Sequence, residues 1–375
     1  EIDIYTGGMN FQIVSYPHKD GDKYFPKLVA NSSALTAQIP KLFELLGEII
    51  GSTKFCETSR LKEIIREIKS RLEMNILQNG HTVAARRATS YFSPIGHYQE
   101  LCGGISFYQF IVDLERDFAT RSSEIENNLQ NVYDMVFNKD NLLVSVTTEE
   151  KSYETFRDSF SSLIGYLKNN IFKKHRYEFD YSKRNEGLLT SSKIQYVAKA
   201  YNFKKLGYNY SGHLQVLKTI IGLDYLWSRV RVTGGAYGSM AGFSRNGNFY
   251  FTSYRDPNLR ETLGVYDQAH DFIRNFKADD REMLKYIIGT ISKMDLPLTP
   301  FMKGQKATAD YISGTSQDDL ERERNEVLNT SSEDIKKLSN LIKDTMDQNI
   351  LCVLGNEQKI KENKDLFQDL VNVFK

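Results

Sequence analysis

Read for its alternation of apolar and polar positions, the chain opens as β-structure. "IDIYTGGMNFQIVSYP" and "YFPKLVANSSAL" predict two strands joined through the turn "KDGD". In "IPKLFELLGEIIGSTKF" the apolar positions Leu42, Leu45, Leu46 and Ile49 fall three and four apart, which predicts an amphipathic helix. "SRLKEIIREIKSRLEMNILQNG" predicts a longer helix, with Ser59 as N-cap and Gly80 as stop. Helices over "ISFYQFIVDLERDF" and "SSEIENNLQNVYDMVF" follow, then a strand at "NLLVSVTT" and a helix around "YETFRDSFSSLIGYL". From Asn169 to Lys193 the pattern dissolves into polar, basic chain that reads as a solvated domain junction.

The pattern then restarts with the strand "IQYVAKAYNF" and the helix "GHLQVLKTIIGLDYLWSRVR". A glycine-rich stretch comes next, followed by helices over "NLRETLGVYDQAHDFIRNF", "DDREMLKYIIGTISKM" and "SQDDLERERNEVL". "NLLVSVTTEEK" from Asn141 and "NILCVLGNEQK" from Asn349 align without a gap, each after a helix and each leading through a polar turn into another. That shared order predicts an internal duplication. The expected fold class is α+β: two duplicated domains, 1–180 and 181–375, each a mainly antiparallel sheet with helices packed on one face. A length of 375 residues agrees with two domains.

Composition narrows the function classes. Apolar residues make up 40% and charged residues 26%, the balance of a globular chain. With 49 basic and 48 acidic residues the net charge is +1, so wholesale capture of nucleic acid or an anionic membrane is not expected. No apolar run approaches the ~20 residues that span a bilayer. Cys56, Cys102 and Cys352 lie far apart without CxxC spacing and read as buried small hydrophobes in a reducing compartment. The start, "EIDIYTGGM", has neither a basic leader nor an initiating Met and reads as the opening of a strand in a fragment of something longer.

Metal chemistry finds no local signature. Of His18, His81, His97, His175, His213 and His270, no two stand four apart, so no HExxH or HxxEH pair exists and no metal is expected on this chain. His270, one turn after Asp267, reads as a surface hydrogen-bonded pair. Nucleotide chemistry finds none either: there is no GxxxxGK[ST], and "GGAYG" is neither GxGxxG nor set between a strand and a helix. No GxSxG nucleophile elbow occurs.

What remains is "RVRVTGGAYGSMAGFSRNGNFYFTSYRD", from Arg229 to Asp256. Asn246-Gly247 between aromatic-rich flanks predicts a hairpin with a type I′ turn. Phe249, Phe251 and Ser253 then share one face, and Tyr250, Thr252 and Tyr254 the other. Asp256-Pro257 ends the strand and opens a helix. Arg231 closes the preceding helix at the negative end of its dipole, Gly234 and Gly235 turn the chain, and Gly238 lets another backbone come close. Two readings stay open. One is a capped helix and an ordinary hairpin, with Tyr237 as a core aromatic. In the other, Arg231 and Tyr237 project donors toward a carbonyl oxygen, and a peptide lies along the strand edge by β-augmentation against Gly234, Gly235, Ala236 and Gly238.

The run "LWSRVRVTGGAYGSMAGFSRNGNFYFTSYRDPNLRETL" resembles the C-terminal half of the presequence-protease branch of the insulinase/pitrilysin zinc peptidases, through its R-x-x-GGAYG core and the "SYRDPN" that follows. The resemblance implies that the two α+β units match that family's third and fourth domains, a LuxS/metalloprotease-like half-shell. It implies that zinc sits on an absent N-terminal half, on an inverted HxxEH helix, and that this half is the partner over which the chain closes. By the same resemblance Arg231 and Tyr237 are the catalytic candidates, stabilising the tetrahedral intermediate while extended, unstructured oligopeptides are cut. This chain alone would be inactive, because HxxEH is absent. The implied compartment is the bacterial cytoplasm, with the mitochondrial matrix or another organelle as alternative. A rival reading is a non-catalytic peptide-binding or scaffold subunit related to the same peptidases.

Overall fold

The first alternation folds in part as expected: Ile2–Tyr5 forms a short helix where a strand was expected, and the strand begins only at Met9. β1 (Met9–Pro17) and β2 (Tyr24–Ser32) pair antiparallel, Met9 opposite Ser32 and Pro17 opposite Tyr24. Six more strands, β3 (Glu186–Thr190), β4 (Gln195–Asn202), β5 (Gly238–Phe243), β6 (Asn248–Tyr254), β7 (Leu351–Asn356) and β8 (Asp369–Asn372), build one sheet in the order β5-β6-β4-β7-β3-β8. β3 runs parallel to β7 and β8, and the other three pairings are antiparallel. The protein is therefore α+β with antiparallel-dominated sheets, as seen in a computed structural model that describes residues 1–169, 177–179, 181 and 184–374. Part of the expected junction, with His175 and the boundary at Asp180, lies outside the described residues.

The two expected sheets take unequal form. Residues 1–169 contribute the β1–β2 hairpin and helices, while the large sheet belongs to the second half. "NLLVSVTT" is not a strand: Leu142, Leu143, Val144 and Val146 stand exposed in extended chain. Helices of the second half pack on one face of the large sheet, as expected, and helices of the first half cover the other. The reason lies in the strands themselves, because β3 and β7 are buried at nearly every position and such strands need cover on both sides. On one face Leu189, Val197, Phe249, Phe251 and Val353 pack with residues of the helices His213–Ile220, Arg260–Arg274 and Ser339–Met346. On the other, Leu188, Tyr196, Ala198, Cys352 and Leu354 meet Val83, Ala84 and Ala88 of the helix Gly80–Ser90, together with Ile105 and Tyr108. The first half thus packs onto the sheet made by the second.

Several boundaries shift for local reasons. Gly80 opens its helix and does not stop the preceding one, which spans Thr58–Gln78 after an N-cap at Glu57. A bare glycine is needed there because the Tyr196 ring lies where a Cβ would stand, 2.2 Å away. A helix over Pro300–Ser313 goes beyond the expected set, although Thr299 caps it, Pro300 occupies its first turn and Gly314 ends it at φ +71°. At the β5–β6 turn only Gly247 has positive φ (+96°), with Gly247 N–H bonded to Ser244 O at 2.9 Å and Ser244 N–H to Asn248 O at 2.9 Å. The turn is therefore a three-residue loop with a glycine bulge, not the expected type I′ turn. Of the three cysteines only Cys352 is buried; Cys56 lies exposed between two helices and Cys102 is half-buried.

Candidate functional site

The helix leading to the glycines changes its winding. After His213–Ile220 it continues as a π-helix over Ile221–Thr233, a rare geometry that recurs at functional sites. Ile221, Tyr225, Leu226 and Val230 face the core, and the Tyr225 hydroxyl donates to Val265 O at 2.7 Å. The other side of the same helix presents Leu223, Trp227 and Arg231. Its end is closed by backbone bonds: Gly234 N–H to Arg229 O (3.0 Å), Gly235 N–H to Arg231 O (2.9 Å) and Ala236 N–H to Val230 O (3.1 Å). Gly235 stands at φ +80°, and a Cβ on Gly234 would meet Val230 O at 2.6 Å, so both positions require glycine. Ala236 is buried, and Tyr237 N–H joins the sheet through Tyr254 O at 2.9 Å.

This corner brings the two expected catalytic side chains together. The Arg231 guanidinium donates to the Tyr237 carbonyl at 2.5 Å and lies 5.8 Å from the Tyr237 ring and 4.2 Å from the Trp227 ring. Tyr237 is 66% exposed, which removes the reading of it as a core aromatic. Among the described residues its hydroxyl has no hydrogen-bond partner, and Arg231 has no carboxylate partner within 4.0 Å. β5 begins at the next residue, Gly238. It is the edge strand, pairing with β6 and leaving its other edge without a strand among the described residues. A Cβ at Gly238 would find its nearest atoms at 3.8 Å or beyond, so nothing among the described residues demands glycine there.

The expected site omits what holds this corner from beneath. Asn258 donates from Nδ2 to Gly234 O at 2.5 Å, and its own N–H bonds the Asp256 carboxylate at 2.9 Å. Asp256 is fully buried, accepts the Thr262 hydroxyl at 2.7 Å, and exchanges two backbone bonds of 2.8 Å with Gln195. Burial raises its pKa, against the pull of the Thr262 and Asn258 hydrogen bonds. The signal was present as "DPN", an Asx-turn in which an aspartate bonds the backbone two residues on.

A second charged cluster lies across the sheet. Arg87 holds Glu186 through two bonds (2.5 and 3.0 Å), Glu100 at 3.1 Å and the Ser106 hydroxyl at 2.8 Å, while the Tyr91 hydroxyl donates to Glu186. Both glutamates are buried. Burial pushes the Glu186 pKa up, but the hydrogen bonds and charge of Arg87 outweigh it and hold the carboxyl below its ordinary range. His270 contacts the Asp267 carbonyl at 2.7 Å; the Asp267 carboxylate is instead bonded by Lys199 at 2.6 Å. Among the described residues no group of three or more His, Cys, Asp or Glu side chains could hold a metal ion, so zinc finds no fitting ligand set there. No helix among them is long and apolar enough to cross a membrane.

Two family models match the chain: the PreP C-terminal domain over residues 185–355, and the domain associated with subfamily C of the M16 peptidases over residues 1–114. The chain is 43% identical to "Protein HypA" of Clostridium perfringens over 375 residues, covering all of this chain and 38% of that protein. It is 28% identical to "Presequence protease 1, chloroplastic/mitochondrial" of Arabidopsis thaliana over 357 residues, 95% of this chain and 33% of that protein. The chain thus spans about a third of the length of the curated relatives it matches. In fold it is similar to the peptidase M16 inactive domain from Pseudomonas fluorescens (TM-score 0.59, 13% identity, 92% of this chain and 80% of that one). Pitrilysin gives a TM-score of 0.59 at 14% identity, over 93% of this chain and 35% of that one.

Proposed function

The chain belongs to the M16 peptidases, the insulinase/pitrilysin family, as a presequence-protease-like C-terminal half, and from that premise we propose that it supplies transition-state donors to a metalloendopeptidase cutting unstructured oligopeptides. The zinc, its water and the general base are assigned to an N-terminal half, the partner over which this chain closes. We divide the chain at about 180 into two units, the second carrying the site.

One observation carries the reading: Arg231 and Tyr237 stand together at the start of an open sheet edge, with the phenol exposed and the guanidinium free of carboxylates among the described residues. A peptide added along β5 would bond that edge through its backbone, with Gly234–Gly238 alongside and the two donors reaching a carbonyl oxygen as it gains charge. A guanidinium keeps its charge at any working pH, and a phenol donates one directed hydrogen bond. Backbone pairing asks for extended peptide and is blind to most side chains, so flexible oligopeptides are the substrate class. The proposed compartment is the bacterial cytoplasm, where three unpaired cysteines fit a reducing setting.

The test is peptide cleavage by this chain alone and after mixing with a separately produced N-terminal half. The expected result is no cleavage alone, cleavage on mixing, and a ~10²–10³-fold loss of turnover in Arg231→Ala or Tyr237→Phe. Cleavage on mixing that survives both substitutions would return the corner to a well-capped hairpin. No cleavage in any verified complex would leave peptide binding at the β5 edge as the function.

A further inference from the structure

An arginine that must meet a transient oxyanion needs its head held still and its donors left free. The usual anchor, a carboxylate, does the first and defeats the second, since it takes up N–H groups and cancels the charge. Arg87 is anchored in that way, with two carboxylates on it. Arg231 has no such partner among the described residues; one N–H goes to the Tyr237 carbonyl, and the guanidinium carbon lies 4.2 Å from the Trp227 ring centroid.

We propose that Trp227 is the positioning residue for Arg231, its indole face holding the guanidinium at the mouth of the β5 edge. This rests on the proposed role of Arg231. Trp227 is the one tryptophan in 375 residues and is 49% exposed, so core packing does not account for it. It stands four residues before Arg231 on the π-helix, whose five-residue hydrogen bonding, as from Gly234 N–H to Arg229 O, stacks residues four and five apart on one side. A ring face attracts the cation electrostatically and engages no N–H, so the guanidinium is oriented while its remaining donors stay available. The Tyr237 ring, 5.8 Å from the same guanidinium, brackets it further.

The experiment is a double-mutant cycle in the full-length enzyme against one flexible peptide, using Trp227→Leu, Trp227→Phe, Arg231→Ala and Arg231→Ala/Trp227→Leu. Leucine keeps apolar volume without a ring face; phenylalanine keeps a weaker face. The expected kcat order is wild type, then Phe, then Leu, with a loss of about 2- to 30-fold for Leu, the range a cation–π contact spans. KM should move little, and Trp227→Leu should add nothing once Arg231 is gone. If Trp227→Leu fails to fold, Trp227→Phe carries the test through its kcat and its cycle with Arg231→Ala. Wild-type kcat in folded Trp227 variants beside a slow Arg231→Ala would overturn the positioning role and leave the parent reading intact. So would losses that multiply in the double variant, because Trp227 would then act by itself. A fast Arg231→Ala would instead sink the parent reading, and this inference with it.

Discussion

Arg87 and Arg231 are the same side chain put to opposite uses. Arg87 sits between a helix and the sheet with its donors spent on Glu186, Glu100 and Ser106, and it ties the first half of the chain to β3. Arg231 lies at the surface beside two rings, with one donor spent on a backbone carbonyl. In the first arrangement the cation is neutralised by two buried carboxylates, with Glu100 Oε2 left without a hydrogen-bond partner. The second is incomplete, and its unspent donors are what mark it. In this protein a buried charge neutralised by carboxylates signals architecture, and a charge without a carboxylate beside an unpaired strand edge signals chemistry.

The sharpest way to break the contrast is to remove each arginine in turn. Arg87→Met leaves two glutamates buried without their cation, which should cost about 3–5 kcal/mol and lower the urea midpoint accordingly. Arg231→Met should change the unfolding free energy by no more than about 1 kcal/mol while abolishing most turnover. Equal midpoint losses in both would erase the distinction. A pH series sharpens it. Because the Glu186 pKa is depressed in the folded protein, its contribution is present above the unfolded carboxylate pKa of about 4.3 and is lost as pH falls through the lower folded value. Without Arg87, burial, the largest influence, is opposed only by the Tyr91 hydroxyl and the charge of Arg184, so the Glu186 pKa moves up and the variant should lose less stability on acidification than the wild type. The midpoint gap between wild type and Arg87→Met should therefore narrow from about pH 5 to about pH 3. A gap that stays constant would show that Arg87 does not hold Glu186 ionised.

The two regions also differ in how far they were legible. Arg231 and Tyr237 lie six residues apart with glycines between them, so local chain geometry brings them together and sequence spacing could pick them out. Arg87 and Glu186 lie 99 residues apart, and no local pattern joins them. The same limit explains the misplaced strand. "NLLVSVTT" and "NILCVLGN" share the apolar character of a strand, but β7 has β3 and β4 on either side, while residues 141–148 pair with no strand among the described residues. Propensity proposes a strand and a neighbour decides it. Cover on both faces was written in the chain, since "LCVLG" in β7 is an apolar run without polar alternation.

The glycines of the corner carry the contrast to its finest scale. Gly235 stands at φ +80°, so Gly235→Ala should cost about 1–2 kcal/mol and misplace Tyr237, lowering midpoint and turnover together. Gly238 is different, because its backbone is ordinary strand and a Cβ there would find Tyr254 Cβ at 3.8 Å and Met240 Sδ at 3.9 Å, both comfortable contacts. Gly238→Ala should leave the unfolding free energy within about 0.5 kcal/mol of wild type. If a peptide backbone is what needs that space, the added methyl should raise KM for flexible peptides several-fold without touching stability. Unchanged stability and unchanged KM would mean that no peptide approaches β5 at Gly238, and the donors of Arg231 and Tyr237 would then have to meet their substrate from another direction.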